Sequence, residues 1–187
     1  DRPTGKLTIY KPIIPGETYY IGADVAGGNQ RSSIEQKGDW SVAQVLDGNG
    51  NQVAIFRGKP LPDQFAVILY HLGNMFNEAK IVVESNNSGL LTINKLYKDL
   101  GYTNVHFQII DDKNQDIDTD TLGFRTTKKS KTTIINELRA KLRDGEIQLF
   151  DLVTIQELLT YIDKGNEKMG AENGCYDDCV IALALAN

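Results

Sequence analysis

Glu17-Thr18-Tyr19-Tyr20-Ile21-Gly22-Ala23-Asp24-Val25 is the stretch on which the fold turns. Its aromatic and β-branched residues predict a strand, and a strand sends alternate side chains to opposite faces. Ile21, Ala23 and Val25 then share one face while Tyr20, Gly22 and Asp24 share the other. Asp24 is the one charged side chain between Glu17 and Arg31. A carboxylate that ends a core strand is costly unless it is paired or binds a metal.

Working outward, Trp40 to Leu46 and Gln52 to Arg57 read as two further strands joined through Asp47-Gly-Asn-Gly-Asn51, so the three together predict an antiparallel meander. Pro62 and Asp63 mark a helix start, with Phe65, Ile68, Leu69, Leu72 and Phe76 on one face. Ala79 to Glu84 is short and almost wholly apolar, which suits a strand buried on both faces. Ser88 is placed to cap a second helix with the stripe Leu90, Ile93, Leu96, Tyr97 and Leu100, ended by Gly101. Val105 to Ile110 resumes strand character. The order βββαβαβ predicts an α/β fold, a mixed central sheet with helices against it.

Farther along, Asp111 to Thr121 is polar and acidic and reads as a loop. Ser130 heads a helix carrying Ile134, Ile135, Leu138 and Leu142, and another stripe runs Leu152, Ile155, Leu158, Leu159, Ile162. After a loop over Gly165 to Gly174 comes Tyr176 to Ala186, a helix apolar nearly all round that should bury itself against the sheet. Asp1 to Gly16, with Pro3, Pro12 and Pro15, reads as a lead-in from a preceding domain, leaving residues 17–187 as the domain itself.

At 187 residues, 41% hydrophobic and 24% charged, the chain has the balance of one globular domain. It lacks an apolar run of about 18 residues, and its first residues have neither a signal-peptide core nor an initiator Met, so it reads as soluble and cut from something longer. Cys175 and Cys179 have neither the number of a disulfide framework nor zinc-knuckle spacing and read as reduced thiols of a cytosolic protein. A net charge of −5 argues against coating nucleic acid by bulk charge. Local charge says otherwise: between positions 125 and 143 stand Arg125, Lys128, Lys129, Lys131, Arg139, Lys141 and Arg143 against Glu137 alone. Arg125, Lys128, Lys129 and Lys131 sit at a loop-to-helix junction, a place suited to phosphate.

The oddity of Asp24 recurs. Glu84 ends Ile81-Val82-Val83, and Asp177 and Asp178 open the most apolar helix, so three distant segments each deliver a carboxylate at the edge of the core. Singly, each has a structural alternative: Asp24 capping Gly27 or Gly28, Glu84 pairing with a lysine, Asp177 favoured by the helix dipole. Jointly they favour a metal site. Oxygen ligands suit Mg²⁺ or Mn²⁺, since Zn²⁺ sites usually bring His or Cys and the histidines here are His71 and His106 alone. Two such ions about 4 Å apart form the clamp used for phosphodiester hydrolysis. Other motifs are weaker: Asp116-x-Asp118-x-Asp120 lacks the Gly and Glu of a calcium loop, Asn86-Asn87-Ser88 has no secretory signal beside it, and Asp39 reads as a turn cap.

Taken in order, Gly22-Ala-Asp-Val-Ala-Gly27, the meander, Val82-Val-Glu-Ser-Asn-Asn87, Gly123-Phe-Arg-Thr-Thr-Lys-Lys-Ser-Lys131 and Tyr176-Asp-Asp178 resemble the nuclease domain of bacteriophage large terminase subunits. The resemblance implies an RNase H-like fold and a metal-dependent endonuclease that cuts double-stranded DNA with little sequence preference during genome packaging, leaving 5′-phosphate and 3′-hydroxyl ends. It implies that Asp24, Glu84 and Asp178, with Asp177 as auxiliary, hold two Mg²⁺ or Mn²⁺ ions. It also implies an ATPase domain, a portal and a small terminase subunit as partners, in the host cytoplasm and outside the mature virion. The chain lacks a Gly-x-x-x-x-Gly-Lys-Ser/Thr loop, so the motor ATPase is not expected here. Alternatives of the same fold are a junction resolvase or a ribonuclease, and of another class a non-catalytic docking module of the packaging motor.

Overall fold

A computed structural model describes residues 5–27, 40–112, 117–165 and 169–187. Five strands form the central sheet: β1 (Gly5–Ile9), β2 (Tyr19–Asp24), β3 (Ser41–Asp47), β4 (Gln52–Gly58) and β5 (Lys80–Val83). Their order across the sheet is β1-β4-β3-β2-β5, antiparallel throughout except for the parallel pair β2 and β5. The meander is therefore β2-β3-β4, and β5 returns beside β2 through α1 (Pro62–Met75).

Alternation sorts the two faces. Tyr19, Ile21, Ala23 and Val25 from β2 and its exit pack with Ala43, Val45 and Phe56 against Phe65, Leu69, Leu72 and Phe76 of α1 and Ile93 and Leu96 beyond it. The opposite face of the sheet receives α5 (Asp178–Ala186), every residue of which is buried. Gly22 makes that close approach possible: a Cβ on it would lie 2.0 Å from the carbonyl oxygen of Ala182.

Four expectations are corrected. Gly5–Ile9 is not a lead-in but an edge strand paired residue for residue with Gly58 to Ala54, because the prolines flank it rather than interrupt it. The segment from Val105 does not run on as a full strand of the central sheet. Val105 and Phe124 each make a single parallel bridge to the outer side of β5, at Ile81 and Glu84. Between them β6 (Phe107–Asp112), which covers most of the expected strand, pairs with β7 (Ile117–Leu122) in a separate antiparallel hairpin, and β7 lies where a loop is expected from the polar sequence. Likewise β9 (Met169–Ala171), inside the expected loop, pairs with β8 (Tyr161–Asp163), whose Ile162 is expected on a helical stripe.

The helices begin one to three residues from the expected caps. Asn87 precedes α2 (Ser88–Asn94), which continues as a π-helical turn over Lys95–Asp99. Thr127 caps α3 (Lys128–Arg143) by accepting the Ser130 N–H, while the Ser130 hydroxyl accepts the Thr127 N–H, a reciprocal pair. The stripe expected on α4 (Leu152–Leu159) is inverted: Leu152 and Leu159 are 71% and 79% exposed, whereas Thr154 and Glu157 are buried. Thr154 accepts a hydrogen bond from Gln44 at 2.8 Å and itself bonds Asp151, its helix cap, so polar groups, together with Leu158 and Val153, fasten α4 to the core. Cys179 is buried, but Cys175 is exposed ahead of the helix. Among the described residues no helix is long and apolar enough to cross a membrane.

Candidate functional site

The strand and helix geometry brings the predicted carboxylates together. Asp24 lies two residues beyond Gly22 on the same face of β2, and Asp178 lies four residues before Ala182 on α5. Two strand residues span about 6.6 Å and four helix residues about 6 Å. With Gly22 seated against Ala182 and Ala186, the helix runs back along the strand and its first residue arrives at Asp24. Parallel pairing places Glu84 likewise: its N–H donates to the Ala23 carbonyl at 2.9 Å, so it leaves β5 beside the end of β2.

Asp24 is 8% exposed. Burial, and then the carboxylates of Glu84, Asp178 and Asp177, hold its carboxyl well above the usual carboxylate range. Glu84 also lies within hydrogen-bonding reach of it and pushes it the same way. Glu84 accepts a hydrogen bond from the Asn86 amide at 3.4 Å. Asp178, also 8% exposed, accepts the Trp40 N–H at 3.2 Å. Asp177 sits one residue ahead of α5 and pairs with the Lys131 ammonium at 3.2 Å.

Each carboxylate is thus turned toward a protein partner. Among the described residues no three His, Cys, Asp or Glu side chains converge at metal-binding distances. The donor chemistry nonetheless fits a hard divalent cation. All the donors are carboxylate oxygens, three of them crowd a fourth that is buried, and a cation would relieve their mutual repulsion.

Of the four predicted phosphate-binding residues, Arg125, Lys128 and Lys129 are exposed. The Arg125 backbone is fixed by its N–H donating to Gln108 at 2.6 Å. Lys131 differs: half-buried and bound to Asp177, it belongs to the acidic cluster rather than to the open basic surface. Asp39 and Asp116 lie outside the described residues.

Sequence reasoning misses Glu157. It is buried on α4, and its Oε2 accepts the Cys179 N–H at 2.7 Å, so it caps the helix that begins at Asp178 from another element. The Arg57 guanidinium lies near it and stacks on Trp40, 3.8 Å from the ring centroid, whose own N–H holds Asp178. The sequence signal is slight: Thr154 and Glu157, three apart, fall on one side of a helix otherwise apolar except for Gln156.

No protein-family profile matches the sequence. Among solved structures, the cobalt-bound large terminase nuclease of the thermophilic phage G20c superposes over 100% of this chain and 87% of its own, with a TM-score of 0.74 and 24% identity. Its magnesium-bound form gives 0.73 and 21% identity over the same shares. The Thermus phage P74-26 large terminase nuclease domain gives 0.69 and 21% identity, covering 99% of this chain and 85% of that one. The chain has the fold of these nuclease domains. In the terminase nuclease fold, of RNase H-like type, the mixed sheet with helices on both faces is as read from the sequence, and the carboxylates gather where β2 and β5 end together.

Proposed function

We propose that the chain is a divalent-metal-dependent endonuclease, the cutting domain of a phage large terminase that severs double-stranded DNA with little sequence preference during packaging. The observation that carries this reading is the buried Asp24 carboxyl, crowded by Glu84, Asp178 and Asp177, on the fold of terminase nucleases. Asp24, Glu84 and Asp178 hold two Mg²⁺ or Mn²⁺ ions, with Asp177 assisting. When bound, such ions supply activation of water and charge stabilisation at the phosphate.

This chain's own residues do the rest. Asp24 presents a carboxylate from a rigid strand end, and Trp40 and Glu157 fix the orientation of Asp178. Arg125, Lys128 and Lys129 hold flanking phosphates of the duplex without reading bases. Hydrolysis leaves a 5′-phosphate and a 3′-hydroxyl. In the longer protein an ATPase domain, a portal and a small terminase subunit are the partners.

The test is nicking of supercoiled plasmid in Mg²⁺ and in Mn²⁺, with linear duplex, four-way junction and RNA–DNA hybrid compared alongside. Cleavage of duplex by the wild type, lost in Asp24→Asn and in Glu84→Gln, is the expected result. Activity retained in Asp24→Asn, or confined to junction or hybrid, overturns it.

A further inference from the structure

Immediately beyond Glu84 the surface opens into a groove of about 580 Å³ lined by Ser85, Asn86, Asn87, Leu90, Asn94, Thr121, Leu122 and Arg125. One wall is the end of β7 and Arg125. The other is α2, on which Leu90 and Asn94 fall four residues apart and so share one side, with Asn87 just ahead of the helix. The floor is braced by Asn86, whose amide donates to the Thr126 carbonyl at 3.0 Å as well as to Glu84.

Two anomalies converge on this groove. Leu90, which the helical periodicity predicts in the core, is 49% exposed and lines it. Asn87 stands at φ +45°, a left-handed conformation that a non-glycine residue holds at some cost and that clusters at functional sites. The lining chemistry is also selective. It offers amides, hydroxyls, an apolar contact and the guanidinium of Arg125, with no carboxylate among the described lining residues, although the acidic cluster begins at the adjoining residue.

Resting on the nuclease reading above, we infer that this groove receives the nucleotides of the cleaved strand on one side of the scissile phosphate. Arg125 pairs with a backbone phosphate, the Asn87 and Asn94 amides hydrogen-bond sugar and base edges, and Leu90 packs against the sugar. Its volume of about 580 Å³ lies within the roughly 300–1,000 Å³ of ligand sites, room for part of the cleaved strand of a bound duplex. Electrostatics favour the assignment, since none of the described lining residues is a carboxylate that would repel a polyanion on its way to the acidic cluster.

The test is a charge placed in the groove but away from the carboxylates. Binding of a fluorescein-labelled 30-base-pair duplex is measured in Ca²⁺ for Asn94→Glu, for Asn94→Lys, and for Asn74→Glu on the exposed side of α1 as a control of equal charge. Asn94→Glu should raise Kd at least fivefold more than Asn74→Glu, Asn94→Lys should lower it, and the rise in Tm on adding Mn²⁺ should stay unchanged in all three. Equal effects of the two glutamates, with wild-type binding and cleavage intact, overturn the groove and leave the nuclease reading standing. A wild type that neither binds nor cuts DNA overturns both.

Discussion

Glu157 Oε2 accepts the backbone N–H of Cys179 at 2.7 Å, so a carboxylate buried on one helix caps the helix that delivers Asp178. Losing a cap costs about 1–2 kcal/mol, and a buried truncation adds to it. Glu157→Ala should therefore lower unfolding free energy in urea by at least that much and weaken the Mn²⁺-induced rise in Tm, while Glu157→Gln, which keeps an acceptor, should restore most of both. An alanine variant as stable as wild type and with unchanged Mn²⁺ response contradicts the capping role.

The same residue gives a pH dependence. Burial holds the Glu157 carboxyl above its ordinary value of 4.5, and it does so against the Cys179 hydrogen bonds and Arg57, which pull the other way. A carboxyl whose pKa is raised by folding stabilises the fold fully below its unfolded pKa, and that contribution is lost as pH rises through the folded value. The stability of wild type minus that of Glu157→Gln should thus fall from about pH 4.5 upward. A flat difference across that window would count against it.

Asp24→Asn removes a carboxyl surrounded by three others. In metal-free protein the variant should be more stable by about 1 kcal/mol, which for a chain of this size is a Tm roughly 2–4 °C higher. Adding Mn²⁺ should reverse the order, because the wild type gains from binding and the variant does not. Calorimetry with EDTA and then with Mn²⁺ reads both halves.

Gly22→Ala puts a Cβ 2.0 Å from the Ala182 carbonyl oxygen. Since neither backbone can yield without moving the strand or the helix, the cost should be about 3 kcal/mol or more, and α5 should shift away from Asp24. Denaturant unfolding and the Mn²⁺ response report the two consequences separately; a mild effect on both would mean that the helix is not seated on Gly22.

Lys128→Ala with Lys129→Ala should weaken DNA binding alike for unrelated sequences and reduce the slope of log K against log salt by about 0.9 for each phosphate no longer neutralised. Lys131→Ala should behave differently, because its ammonium is bound to Asp177.

What the sequence makes legible follows from where its signals are strong. Strand β2 announces itself by composition, and its alternation already assigns Asp24 and Gly22 to one face; α5 announces itself by having no polar side. The juxtaposition of Asp24, Glu84, Asp177 and Asp178 is then a matter of strand ends and a helix start. Less legible is whatever polar residues hold together. Thr154 and Glu157 turn inward against the hydrophobic pattern because Gln44 and the Cys179 N–H wait for them, partners 110 and 22 residues away in the chain. Similarly, the polar run before Leu122 forms β7 because its backbone pairs with β6, a long-range gain that local composition does not carry.

The edge strand β1 bears on how this protein can be handled. Its five residues pair with Gly58 to Ala54, and Leu7 packs on the core beside Phe56. A fragment begun at Glu17, where the sequence invites a boundary, would strip β4 of that partner and leave a row of open backbone donors and acceptors beside an uncovered phenylalanine. Such an edge recruits the same edge of another copy, so the shortened protein would be expected to precipitate or form fibrils at concentrations where the chain with β1 stays dispersed.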